Sequence, residues 1–287
     1  MTKTYDLTTG SLAKHFMRLA IPAAIGMVFS TLYNVVDVFF AGMIGTDAQA
    51  GLAISFQAFF IFVTIGFGLS SAMTALVGNA IGAKKKTDAS IIAAQGIGFA
   101  IVTSVLLIVA ARFIGPHLLA IISTEGAYRT AGEAYFMILI LSLPGFIMGY
   151  GLNGILQAQG DTVSMQYALI GAFFANIGLN PLMMFGIPGI WGGLGFDGIA
   201  AATVISQTGV MLYIGVRLLR SGLLDAKTPN NILPNLALYH QILAQLLPTT
   251  FTMLVMFTAG FIVQFYLKTF GTPAVAAYGV ALRVEQL

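Results

Sequence analysis

One carboxylate, Asp37, sits in the run STLYNVVDVFF (30–40), with no charged residue back to Arg18 and none forward until Asp47. A charge at the centre of a membrane-spanning helix costs about 2.5–3.5 kcal/mol on insertion scales, so an acid kept there is expected to have a task. A lone carboxylate in such a place can gain and lose charge, by taking a proton or by holding a small cation. Gly26, Ser30, Tyr33 and Asp37 are spaced four, three and four, a single small or polar stripe on one helix face. Lipid would not favour that stripe; a bundle interior or a water-filled cavity would. Pro22, lower on the same segment, removes a backbone hydrogen bond and gives the helix a place to bend.

Other amides and hydroxyls come in pairs four residues apart: Asn153 and Gln157, Asn176 and Asn180, Thr203 and Gln207. Each pair alone is more often a contact between helices than a site. Three pairs together with one acid predict a converging polar pocket. Other patterns carry no chemistry. GFGLSS (66–71) echoes a phosphate loop but lies in the middle of an uncharged apolar run, where small residues mean close helix packing. His15, His117 and His240 lack metal-ligand spacing, the 13 methionines are scattered as lipid-facing or cavity-filling side chains, and no nucleophile–base pair stands out. The expectation is no enzyme, no cofactor and no fixed metal, with Na⁺ possible at Asp37.

The elements that must position these residues follow from composition. Of 287 residues 58% are hydrophobic and 8% charged, and mean hydropathy is +0.91, which excludes a soluble globular domain. Seven segments, near 17–42, 51–80, 90–114, 133–156, 163–185, 196–219 and 240–267, are long enough to cross roughly 30 Å of hydrocarbon. An eighth starts near 273. The fold class is therefore all-α, a polytopic helical membrane protein. With no cysteine there is no disulfide or thiol chemistry, and the first segment is too long for a signal peptide. Lys3, Lys14, Arg18, Lys84, Lys85, Lys86, Arg217, Arg220 and Lys227 fall on one side, against Arg112, Arg129 and Lys268 on the other. That asymmetry predicts a cytoplasmic N-terminus; the membrane expected is the plasma membrane, the inner membrane of a bacterium. The pI near 9.1 reflects these helix-end residues and not a nucleic-acid partner, and AKKK (83–86) reads as a topology signal rather than a lipid site.

Residues 19–57 overlie 245–283 without a gap. Pro22 falls on Pro248, Met27 on Met253, Phe39 on Phe265, and the turn residues Gly45, Thr46, Ala48 and Ala50 on Gly271, Thr272, Ala274 and Ala276. An offset spanning six segments keeps both copies in the same membrane orientation, the parallel-repeat arrangement of transporters. Residues 1–225 then form a six-helix lobe, and 226–287 begin a second. Two complete copies would need about 450 residues, so the chain reads as a fragment.

With these residues in place, the chain resembles the multidrug and toxic compound extrusion (MATE) family of secondary transporters. The likeness rests on LAIPAAIGMVFSTLYNVVDVFFAGMIGT, GNAIGAKKKTDA, NGILQAQGDT, NIGLNPLMMFGIPG, GIAAATVISQ and AAYGVALRVEQL. The resemblance implies twelve helices in two lobes, a monomer at full length, and efflux of cationic or amphipathic small molecules coupled to inward flow of H⁺ or Na⁺. By motif, Asp37 looks like the ion-coupling carboxylate. Tyr33, Asn153, Asn176, Asn180, Thr203 and Tyr135 look like its polar surround, and Pro22 like the bending proline. Some members carry an aspartate where Asn180 stands, which leaves Asp37 the single acid well inside the first-lobe segments. Alternative readings are a flippase of a lipid-linked substrate, which would prefer a cationic cavity, or an inactive truncated lobe.

Overall fold

The computed structural model describes residues 11–224 and 232–285. Hydrocarbon offers the backbone no hydrogen-bond partner, so each crossing must satisfy its own amides and carbonyls as a helix. The described residues form helices α1 (Leu12–Ile44), α2 (Thr46–Gly82), α3 (Lys86–Ile122), α4 (Ala127–Leu139), α5 (Leu143–Ala158), α6 (Ser164–Phe185), α7 (Asp197–Leu219), α8 (Leu236–Leu267) and α9 (Thr272–Glu285). Seven helical runs are long and apolar enough to cross a membrane, with α4 and α5 together making the fourth. Pro22 falls within α1, but its side chain lies outside the described residues, as do those of Lys14, Arg18 and Arg283 and the whole of Lys3 and Lys227.

Two differences from the sequence reading have physical causes. Helices α2 and α3 are 37 residues each, about 55 Å long. Apolarity marks how much of a helix sits in hydrocarbon, not where the helix stops. The fourth crossing, read as one segment over 133–156, is broken by a 3₁₀ turn at Ile140–Ser142. Pro144 has no N–H to offer Ile140. The Leu143 amide bonds to the Ile140 carbonyl instead, and the Ser142 hydroxyl donates to the Leu139 carbonyl at 2.6 Å.

Helix α2 is the central post, packed against α3, α4, α5, α8 and α9. Its contact with α5 depends on a missing side chain, because a Cβ on Gly154 would lie 2.3 Å from the Ser70 carbonyl oxygen. Where α2 meets α9, a Cβ on Gly279 would lie 2.6 Å from that of Ala53, its counterpart at the 226-residue offset. The two repeat turns also match. Gly45 and Gly271 both have positive φ (146° and 88°) with ψ of 177° and 173°, and each is followed by a threonine that starts a helix.

Helices α6 and α7 are pinned at both ends. Beyond α6 the chain folds back so that the amides of Leu194 and Gly195 donate to the carbonyls of Met183 and Met184 at 2.8 and 3.0 Å. At the opposite end Asp161, before α6, accepts from the Ser164 hydroxyl at 2.7 Å and from Arg217 of α7 at 3.0 Å. Burial opposes the charge on Asp161, but the hydroxyl and amide of Ser164, the Arg217 guanidinium and the Val163 amide prevail and hold its carboxyl below the usual carboxylate range.

The segment leading into α8 is held by one buried amide. Gln95 of α3 donates to the Leu233 carbonyl at 2.7 Å and accepts from the Asn235 amide at 2.9 Å. Asn235 in turn caps α8, its Oδ1 accepting from the amides of Ala237 and Leu238.

Candidate functional site

Asp37 is fully buried where α1 meets α6 and α7. Asn180 Nδ2 donates to its Oδ1 at 2.9 Å and also to Asn176 Oδ1 at 2.9 Å, one amide hydrogen for each. Thr203 Oγ1 lies 3.3 Å from the other carboxylate oxygen and 3.2 Å from the Ile199 carbonyl of its own helix. A hydroxyl has one hydrogen, so Thr203 can point it at the acid or at the helix backbone. The Tyr33 hydroxyl, one turn before the acid, faces Asp37, Thr203, Ser206 and Asn176. Pro181 follows Asn180 within α6, and the pinned ends of α6 and α7 fix the amides and the hydroxyl opposite α1.

Tyr33 and Thr203 also form part of the wall of a cavity of about 680 Å³ between α1, α2, α5, α6, α7, α8 and α9. Asp37 therefore stands behind the wall, hydrogen-bonded to Thr203 and within electrostatic reach of Tyr33. The lining is aromatic and neutral-polar: Phe56, Phe60, Phe67, Phe146, Tyr150, Phe257 and Tyr278, with Ser30, Asn34, Gln57 and Gln207. Among the described residues, none that lines it is charged. Phe60 and Phe257 stack at 5.1 Å with 16° between their planes, and Gln57 Nε2 donates to the Phe257 carbonyl at 2.8 Å. Residues 30, 31, 33 and 34 of α1 line the chamber, and so do 256, 257, 259 and 260 of α8, their counterparts at the repeat offset.

The structure thus brings together Asp37, Tyr33, Asn176, Asn180 and Thr203. Asn153 is buried on α5, one turn beyond the cavity-lining Gly149 and Tyr150, with its Oδ1 unpartnered among the described residues. Its expected companion Gln157 turns to α2, where Thr74 donates to it at 3.4 Å. Tyr135 is buried in an aromatic cluster, stacked on Phe196 at 4.9 Å and tilted against Phe56. Gly68, in the glycine-rich run of α2, packs against Leu246 and Thr250 of α8. Residue reading missed Gln57, Gln95 and the aromatic lining. The two glutamines had a signal, since an uncharged amide inside an apolar span needs a partner. The aromatics had none among 22 phenylalanines.

Oxygen dominates the donor set around the acid. The carboxylate, Thr203 Oγ1 and the amide oxygens of Asn176 and Asn180 suit a hard monovalent cation better than a transition metal. Asn180 Oδ1 is buried without a hydrogen-bond partner among the described residues. No group of three His, Cys, Asp or Glu side chains could hold a metal ion among those residues.

A family model described as MatE matches residues 22–182. The multidrug export protein MepA of Staphylococcus saprophyticus is 21% identical over 285 residues, covering 98% of this chain and 62% of that protein. A crystal structure of MATE in complex with MaL6 superimposes with a TM-score of 0.81 at 25% identity, covering 99% of this chain and 62% of that one. An inward-facing conformation of a multidrug resistance MATE family transporter of the MOP superfamily gives 0.80 at 23% identity, covering 93% and 61%. The chain thus spans about 62% of the length of the curated relatives it matches.

Proposed function

Because the chain belongs to the MatE family, we propose that it forms the ion-coupled part of a secondary multidrug efflux transporter, exporting cationic or amphipathic compounds against H⁺ or Na⁺. In this reading residues 1–225 are a six-helix lobe with a cytoplasmic N-terminus, and 226–287 open a second lobe parallel to it. The observation that carries the proposal is a single buried carboxylate placed behind the wall of an aromatic chamber, hydrogen-bonded to Thr203 and within electrostatic reach of Tyr33. Aromatic faces attract a planar cation through their quadrupoles without a fixed counter-charge, which allows many shapes to bind. The ionised acid behind the wall adds a longer-range preference for positive charge.

Coupling follows if drug and ion favour opposite states of Asp37. With the acid ionised, Asn180 donates to one oxygen and the Thr203 hydroxyl turns towards the other. With the acid protonated, its O–H donates to Thr203 Oγ1, and the threonine hydrogen swings to the Ile199 carbonyl. Both states leave each carboxyl oxygen with a hydrogen-bonded partner, so the acid itself can cycle without being stranded. Ion binding then weakens drug binding, and drug weakens ion binding by the same factor. One carboxylate and neutral amides favour H⁺ as the coupling ion. Na⁺ is the second reading, held by the carboxylate with Asn180 Oδ1 and Thr203 Oγ1.

The test is ethidium movement in reconstituted vesicles under an imposed pH gradient or an imposed Na⁺ gradient. Gradient-driven movement by the unmodified protein and its loss in Asp37→Asn are expected. Unimpaired gradient-driven efflux by Asp37→Asn would remove the proposal.

A further inference from the structure

The lysine run at 84–86, which sequence alone assigns to topology, borders a second pocket of about 290 Å³. Three connections meet there. Lys84 comes from the α2–α3 turn and Lys86 from the first residue of α3, Gln159 from the α5–α6 turn, and Ser221, Gly222 and Leu223 from the stretch after α7. Of the three lysines, Lys85 has a carboxylate, Asp88 at 3.9 Å. Among the described residues Lys84 and Lys86 have none. Arg217, the nearby cation of α7, is already engaged by Asp161.

Helix-end electrostatics does not account for both of these lysines. The amides of Lys84 and Lys85 close α2 onto the carbonyls of Ile81 and Ala80, each at 2.9 Å, and Lys84 takes φ of 60°. Glycine usually occupies that position, because a side chain there is strained. A cation at the C-terminal end of α2 draws some compensation from the helix dipole. Lys86 draws none, since it begins α3 and sits at the positive end of that dipole. Among the described residues neither ammonium group on this recess has a carboxylate, so an anion held between the two would be attracted by both. Ile81 and Leu223 add apolar wall beside the ammonium groups, which suits an ester of phosphate.

We propose that this recess binds a phosphate-bearing anion, either the headgroup of an anionic phospholipid or free phosphate, between Lys84 and Lys86. Such an anion would tie together the turns that carry the ends of α2, α5 and α7. The experiment measures ligand retention by native mass spectrometry on the delipidated protein in detergent, without any transport step. The probes are dioctanoyl phosphatidylglycerol, dioctanoyl phosphatidylcholine and inorganic phosphate. Retention of phosphatidylglycerol at least ~10-fold tighter than phosphatidylcholine is expected, falling at least ~10-fold in Lys84→Gln/Lys86→Gln. Lys85→Gln, and the charge-keeping Lys84→Arg/Lys86→Arg, should bind as the unmodified protein does. Competition by inorganic phosphate, or binding of phosphate with no preference for phosphatidylglycerol, would support the site and assign the free ion. Equal retention of both probes by the double glutamine variant and the unmodified protein would overturn it, as would loss in the arginine variant with unchanged melting temperature.

Discussion

Removing the Asn180 amide should separate the support of the acid from the acid itself. In Asn180→Leu, Asp37 loses the 2.9 Å donor on one oxygen and keeps only the longer Thr203 contact, whose hydrogen is shared with Ile199. A hydrogen bond to a charged group is worth about 1.5–3 kcal/mol, and every 1.4 kcal/mol is a factor of about ten. The state with Asp37 ionised therefore becomes about 10- to 150-fold less populated relative to the neutral one. If drug binds the ionised state, its apparent affinity falls by the same factor, because the competent fraction scales the dissociation constant. Thr203→Val removes a long, shared bond and should cost only a few-fold. Fluorescence titration of ethidium into the purified protein, free of Na⁺ and at a pH low enough that the neutral state of Asp37 predominates, gives the apparent Kd. The expected order of weakening is Asp37→Asn, then Asn180→Leu, then Thr203→Val. A threonine variant as impaired as Asp37→Asn, beside an Asn180→Leu that binds normally, would refute the assignment of Asn180 as principal donor.

Other expectations concern the frame around that site. Asp161→Asn should lower the melting temperature at pH 7 by breaking the clamp on α6 and α7. A carboxyl held below its ordinary value stabilises the fold above about pH 4 and loses that contribution as pH falls further, so the gap from the unmodified protein should close on acidification below pH ~4. Gly154→Val would drive a side chain into the Ser70 carbonyl; overpacking of this kind costs about 1–3 kcal/mol and should appear as a lower melting temperature in detergent. Gln95→Leu strands the Leu233 carbonyl and the Asn235 amide, and hydrogen exchange at Asn235 should speed up roughly 10-fold or more, for about 1–3 kcal/mol per orphaned group. Phe257→Ala removes one face of the stack with Phe60 and should weaken ethidium binding several-fold while leaving gradient dependence intact, measured in the same vesicles.

The sequence displays its crossings well because hydrocarbon imposes one rule on every residue of a span. Asp37, Asn176, Asn180 and Thr203 were legible for the converse reason, that polar side chains are scarce in such a chain. Proximity was harder. Asn153 and Gln157 share the spacing of the other pairs, yet Gln157 turns to Thr74, and spacing alone gives a face without saying which neighbour lies opposite. The break at Ile140–Ser142 was hidden because Pro144 also fits an ordinary first turn. The chamber wall was illegible for want of contrast, since Phe60 or Phe146 looks in sequence like any phenylalanine turned to lipid. Lys84 and Lys86 show the same limit, as charge count gives a side of the membrane and only the fold gives a recess.

The contact between Ala53 and Gly279 bears on the symmetry of the repeat. The two positions correspond at the 226-residue offset, and each faces the other. A side chain that meets its own duplicate has no asymmetric partner to yield space, and two alanines would collide there. Identical residues fit here only as two glycines, so the single methyl group on Ala53 marks a place where the two halves are not interchangeable.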